Sequence, residues 1–271
     1  MELRLRQPVL VARDKDRTVR ELAAVLDLRP VHGSGDLTPF GLPEENPMSE
    51  GGRKVLEGLG VENLIFAVGA DMLEVMFATR PDSAVVGFMD RRGGDTGYML
   101  VLQTDDVEKY KALAEQEGVR VSHDAQFPFY RDIHLHPRDC GGALLSMARN
   151  LPDNEPDGAW YPGGHWQDRP PSRAVDAIVA AEMRSPDPQA LAERWGRLLD
   201  KPVRALGSGW AIDLDDAMLR FMPCAQGQKE GLYGLDLRVK DRSLIDAGAR
   251  SLGIPITDDT LQLCGMTIRL V

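Results

Sequence analysis

The chain has 271 residues, enough for one large domain or two of ordinary size with real cores. Its 42 acidic against 32 basic residues give a formal charge of −10 with no dense Lys/Arg stripe. That balance argues against nucleic acid and anionic membrane as partners and leaves a small molecule as the expected one, bound by a monomer or a homodimer.

Three cysteines, Cys140, Cys224 and Cys264, are too scattered for a disulfide framework or a zinc finger. The opening MELRLRQPVLVARDKD has no apolar segment with a cleavage site, and nothing approaches the roughly 20 apolar residues of a membrane span. A soluble, cytoplasmic protein is expected.

In chain order, QPVLVA (7–12) reads as a strand, and after the capping candidate Asp14 the residues Val19, Leu22, Ala23, Leu26 and Leu28 recur at near-helical spacing. A Gly/Pro/Glu-rich loop (33–60) precedes two strand-like runs, ENLIFAVG and DMLEVMFA, joined at Gly69-Ala70. RRGGDTGY (91–98) reads as a flexible connector, or as an anion site in which Arg91 and Arg92 flank an approachable Gly93-Gly94 backbone.

The order restarts in GYMLVLQTDDVEKYKALAEQEGVRV (97–121), a strand and a helix stopped at Gly118, followed by RDIHLHP and GGALLSMA as a hairpin. Residues 150–172 have the composition of a linker. Beyond it the order returns twice: DAIVAAEMR, SPDPQALAERWGRLLD, GWAIDLD and AMLRFMP, then GLDLRVKD, RSLIDAGARSLG and QLCGMTIRLV. The chain is a fourfold weak repeat of strand, helix and hairpin, with 1–149 and 173–271 as two domains.

Side chains alternate along a strand, so in RDIHLHP Ile133 and Leu135 share one face and His134 and His136 the other. The histidines then serve as metal ligands, as a general acid or base, or as edge residues satisfied by solvent or backbone. In AWYPGGHW (159–166), Trp160, Tyr161, His165 and Trp166 form a lid that stacks on a planar ligand, or pin the linker to the body.

QPVLVARDKDR, the VGADMLEV hairpin, YMLVLQTDDVEKYKALAEQEGV and LHPRDCGGALLSM together resemble the vicinal oxygen chelate superfamily, the glyoxalase, bleomycin-resistance and extradiol-dioxygenase group. The resemblance implies an α+β fold of four βαβββ modules in two pairs, each pair curling its sheet around a cleft that holds a divalent metal. The ligand positions it implies are Gln7, Glu74, Met99 and Ser146, counted from Asp14, the VGADMLEV run, Asp106 and Gly142. Met99 and Ser146 depart from the family's His and Glu, and a thioether suits a hard ion poorly.

The cleft face implied by strand alternation holds Gln7, Glu74, Gln103, Ser146, His134 and His136. A relocated site for Zn, Mn or Fe would use Gln7, Glu74, His134 and His136, and the absence of any metal stands equally open. The family positions in the second half read Ala180, Gly234, Arg220 and Arg269, which argues against an extradiol dioxygenase. Two arginines there mark a solvated face or a pocket for an acidic ligand.

The expected function is a glyoxalase-like lyase, isomerase or epimerase moving a proton beside a carbonyl. Glu74 with His134 or His136 would do the transfer, and Gln7, Met99, Gln103 and Ser146 would line the substrate. The alternative is a non-catalytic protein that binds and sequesters a small molecule.

Overall fold

The computed structural model describes residues 2–42 and 50–271, for 50 and 51 the backbone alone. The part of the expected 33–60 loop at 43–49 lies outside the described residues. Four times the chain runs from a strand through an aspartate into a helix. Strand β1 (Arg4–Ala12) leads to helix α1 (Lys15–Leu26), then β2 (Pro30–Gly33), α2 (Glu50–Leu59), β3 (Val61–Val68), β4 (Asp71–Ala78) and α3 (Ala84–Arg92). The second round is β5 (Thr96–Gln103), α4 (Val107–Gln116), β6 (Val121–Gln126), β7 (Tyr130–Leu135) and β8 (Leu144–Asn150). The third is β9 (Val175–Ser185), α5 (Pro188–Leu199), β10 (Arg204–Leu206), β11 (Gly209–Asp213) and β12 (Met218–Pro223); the fourth is β13 (Gly231–Val239), α6 (Arg242–Leu252), β14 (Thr260–Leu263) and β15 (Met266–Leu270).

The aspartate is what makes each strand turn into a helix. Asp14, Asp106, Asp187 and Asp241 each accept a hydrogen bond from a backbone N–H of the first helical turn, at 2.9, 3.0, 3.0 and 2.9 Å. Each thereby satisfies a donor that the helix itself leaves open.

The fold is α+β with two mixed sheets, of eight strands in the order β2-β3-β4-β1-β5-β8-β7-β6 and seven in the order β10-β11-β12-β9-β13-β15-β14. Parallel pairs β1–β4, β5–β8 and β9–β12 alternate with antiparallel hairpins, the arrangement that repeated strand-helix-hairpin modules produce. The expected modules are therefore present, the fourth with two strands after its helix.

Two compact units result. One comprises Met1–Pro8, Gly97–Gly158 and Ile178–Asp236, the other Val9–Thr96, Ala159–Ala177 and Leu237–Val271. In the first unit Trp195 and Phe221 meet edge to face with ring centres 5.4 Å apart, both fully buried. Gly142, at φ 83°, closes the turn after β7, where a Cβ would lie 2.4 Å from the Glu230 carbonyl oxygen, so the Gly141-Gly142 pair is a packing requirement.

In the second unit α1 and α6 cross so closely that a Cβ on Gly248 would sit 1.8 Å from the Ala24 carbonyl oxygen. Burial pushes the thiols of Cys140 and Cys264 up to about 12, which leaves them as inert core residues. No helix among the described residues is long and apolar enough to cross a membrane.

Candidate functional site

The outermost hairpin of the eight-stranded sheet, β6–β7 in the first unit, carries the densest cluster of chemistry-bearing side chains. Ile133 and Leu135 are fully buried, and the intervening alternate positions, Asp132 and His134, occupy the other face. An unbroken antiparallel ladder that paired Val121 with Leu135 would set Ser122 opposite His134. A bulge between Val121 and His123 shifts the register by one, so His123 pairs with His134 instead.

The result is a His-Asp-His constellation. His134 Nε2 lies 2.9 Å from Asp132 Oδ2, His123 Nε2 lies 3.7 Å from the same oxygen, and the two imidazole centres are 4.6 Å apart. One ligand atom from each residue falls within 4.8 Å of the other two. The side chains are 24 %, 10 % and 35 % exposed for His134, Asp132 and His123, so the carboxylate is sheltered while both rings reach solvent on one side.

Burial works to raise the Asp132 carboxyl, yet its interactions with His123 and then His134 win and hold it at about 2. The same interaction with Asp132 raises His123, against the opposing effect of burial.

The register extends the site across the sheet. Val101, Ser146, His134 and His123 form one transverse row of facing residues, and Gln103, Ala148, Asp132 and Ala125 the next. Ser146 is 1 % exposed, and its Oγ has no hydrogen-bond partner among the described residues. Gln103 is fully buried, and its Nε2 donates to Asn154 Oδ1 at 3.0 Å and to the carbonyls of Asn154 and Glu155, both at 3.3 Å. Among the described residues no donor reaches its Oε1. The start of the 150–172 segment is thus tied down by Gln103 and by the buried Arg6, whose guanidinium donates to the carbonyls of Pro156 and Gly158.

The other expected residues are placed as follows. Strand β7 ends at Leu135, and His136 stands in the following turn, its N–H donating to Arg120 O at 2.8 Å and its Nδ1 accepting from the Arg138 N–H at 3.2 Å. It does not join the cluster. Met99 is half-buried on β5, and Gln7 is buried on β1. Glu74 belongs to the second unit, buried on β4, with Asn63 Nδ2 donating to its Oε1 at 2.7 Å.

The donor set implied by the family resemblance does not suit a divalent ion. It comprises one carboxylate already held by Asn63, one amide, a thioether and a neutral hydroxyl. His123 and Asp132 are functional candidates that the sequence reading did not single out. The Asp-x-His alternation in β7 carried a signal for Asp132; the bulge that brings in His123 left none.

The seven-stranded sheet answers the question of its arginines. Arg220 is 5 % exposed, its fork held by Asp236 on β13 (Nη2 to Oδ1, 2.7 Å, and Nη1 to Oδ2) and by Glu182 on β9 at 3.3 Å. Burial works against its charge, and the hydrogen bond and charge of Asp236, then Glu182, more than offset that. Arg220 is therefore neither solvated nor open to an outside acid. Arg269 is exposed.

No family model and no curated protein matches the chain. Among solved structures, a hypothetical protein from Staphylococcus aureus aligns over 99 % of this chain and 99 % of its own, with a TM-score of 0.62 at 11 % identity. A mutant 4-hydroxymandelate synthase from Streptomyces coelicolor aligns over 92 % of this chain and 74 % of its own, with a TM-score of 0.60 at 15 % identity. A Streptomyces coelicolor methylmalonyl-CoA epimerase in complex with 2-nitronate-propionyl-CoA aligns over 56 % of this chain and 97 % of its own, with a TM-score of 0.43 at 21 % identity. The likeness to the first two is one of fold.

Proposed function

We propose that the protein is a small-molecule enzyme of the glyoxalase-like fold that works through a displaced metal centre formed by His123, Asp132 and His134. The observation that supports this is the convergence of two imidazole nitrogens and one carboxylate oxygen within 4.8 Å. Tetrahedral binding at zinc–ligand distances puts neighbouring donors roughly 3.3 Å apart. The two separations to Asp132 Oδ2, 2.9 and 3.7 Å, bracket that value.

Two neutral nitrogens and one anionic oxygen with an open side suit Zn, Mn or Fe. Such an ion supplies Lewis-acid polarisation of a bound carbonyl oxygen. The chain's own residues do the rest. Asp132 stays ionised down to a pH of about 2 and contributes the single negative charge. Ser146 lies beside His134 in the register, its hydroxyl buried and closed to a bound substrate. The reaction class that fits is proton transfer beside a carbonyl, as in a lyase or isomerase.

The test is metal analysis of purified protein equilibrated with Zn, Mn or Fe salts, paired with deuterium exchange beside the carbonyl in a panel of carbonyl compounds. About one equivalent of metal should be retained, lost in His134→Ala and Asp132→Asn and kept in His136→Ala, with exchange following metal content. Equal retention in all variants would refute the centre. Retention without exchange of any compound would favour a binding protein.

A further inference from the structure

Trp166, singled out by the aromatic cluster in the sequence, lines a cavity in the second unit that the site above does not use. The cavity has a volume of about 230 Å³ and lies among Leu28 and Arg29 just before β2, Gly69 in the β3–β4 turn, and Trp166, Arg169 and Pro170 of the 150–172 segment. Its lining combines apolar residues and the Trp166 ring with two arginines and one aspartate.

Asp27, the one acid there, is taken by Arg173, which donates to it from Nε at 2.8 Å, from Nη2 at 3.2 Å and from its backbone N–H at 3.0 Å. That grip holds the Asp27 carboxyl below its ordinary value. Arg29 and Arg169 make no side-chain hydrogen bond or salt bridge among the described residues, Arg29 being exposed and Arg169 half-buried. The indole N–H of Trp166 is closed off from solvent and has no acceptor among the described residues, so Trp166 meets the cavity with its ring.

We infer that this cavity binds a small carboxylic acid with a flat, unsaturated body, its carboxylate held by Arg29 and Arg169 and its body stacked between the Trp166 indole and Pro170. Guanidinium forks match a carboxylate in two-point geometry, and an aromatic face with a proline matches a flat apolar body. The volume corresponds to roughly eight water-sized spaces, below the ~300–1,000 Å³ of sites for drug-sized ligands. The ligand is therefore of benzoate size. The inference is independent of the metal centre, which lies in the other unit.

Benzoate is the probe and the Trp166 indole N–H resonance, assigned with Trp166→Phe, is the readout. A ligand of about ten heavy atoms should saturate with a dissociation constant of about 1 mM or below. Benzyl alcohol, with the same ring and no charge, should leave the resonance unmoved at that concentration, and phosphate should bind at least tenfold more weakly than benzoate. Arg169→Gln should weaken benzoate tenfold or more with the rest of the spectrum unchanged, Arg29→Gln less, and His134→Ala not at all. No saturating shift at ten times the expected concentration, equal binding of benzyl alcohol, or unchanged affinity in both arginine variants would overturn the assignment.

Discussion

Replacing Arg220 by Met keeps most of the side chain's packing volume and removes the cation that bridges Glu182 and Asp236 in the seven-stranded sheet. All three side chains are 6–7 % exposed, so neither carboxylate can turn to water once the guanidinium is gone. Glu182 keeps Arg184 at 2.9 Å, and the loss falls mainly on Asp236, which gives up its 2.7 Å partner. Removing one member of a buried pair costs about 3–5 kcal/mol, a large part of the ~5–15 kcal/mol that holds a domain together. In the variant, burial and like charge both disfavour the ionised carboxylates, so the folded form takes up protons more readily than the unfolded chain, and stability rises as pH falls. Urea unfolding should show the variant about 4 kcal/mol weaker than the parent near pH 8, with the gap narrowing toward roughly pH 5. The triple variant with Glu182→Gln and Asp236→Asn should recover much of the loss at pH 8. A cost below about 1 kcal/mol, or one that does not change with pH, would refute the buried-triad account.

Three further outcomes are expected. Gly248→Ala must drive α1 and α6 apart, because its Cβ would meet the Ala24 carbonyl at 1.8 Å; a loss of about 1–3 kcal/mol should appear as a lower thermal midpoint. Ser146→Ala removes a buried hydroxyl that has no partner among the described residues, so stability should hold or rise by up to about 1 kcal/mol, read as the urea midpoint. His32, 4 % exposed, is held at about 4, first by burial and then by His165. Its folded value lies below the unfolded 6.5, so the stability it carries is complete above that value and is lost as pH falls toward 4. At ~1.36 kcal/mol per unit this amounts to about 3 kcal/mol, and urea midpoints at pH 7.5 and 4.5 should differ less in His32→Gln than in the parent.

The fold was largely legible because its elements rest on local patterns. The runs at 7–12, 62–69 and 71–78 became β1, β3 and β4, and Asp14 became a cap that accepts from the Arg17 N–H. What escaped had weak local signals. Helix α2 contains Gly51, Gly52 and Gly58, and α3 has only nine residues, with β-branched Val85 and Val86 and with Gly87; both compositions read as loop or connector. Strand β6, VSHDAQ, alternates half-buried and exposed residues without an apolar face, so no hydrophobic period announces it. The AWYPGGHW segment is held to its own unit, with Trp160 fully buried and Gly163 against Met72.

The candidate site shows where pattern reading stops. Alternation put His134 opposite Ile133 and Leu135, and both apolar residues are buried. Extending the same alternation to His136 failed because the ladder stops at Leu135, just before Pro137, whose missing N–H cannot continue it. His123 depends on a one-residue bulge between Val121 and His123, and a shift of one position exchanges the faces of a strand. Without it Ser122 would face His134, and two imidazoles would never meet over Asp132. A single extra residue in the ladder thus decides whether the outer hairpin presents a His-Asp-His group, with no change in the modules that carry it. The second sheet reaches the opposite outcome by the same economy of means: Arg220, by filling the space between Glu182 and Asp236, supplies the positive charge from within the chain and leaves those carboxylates no reason to take an ion.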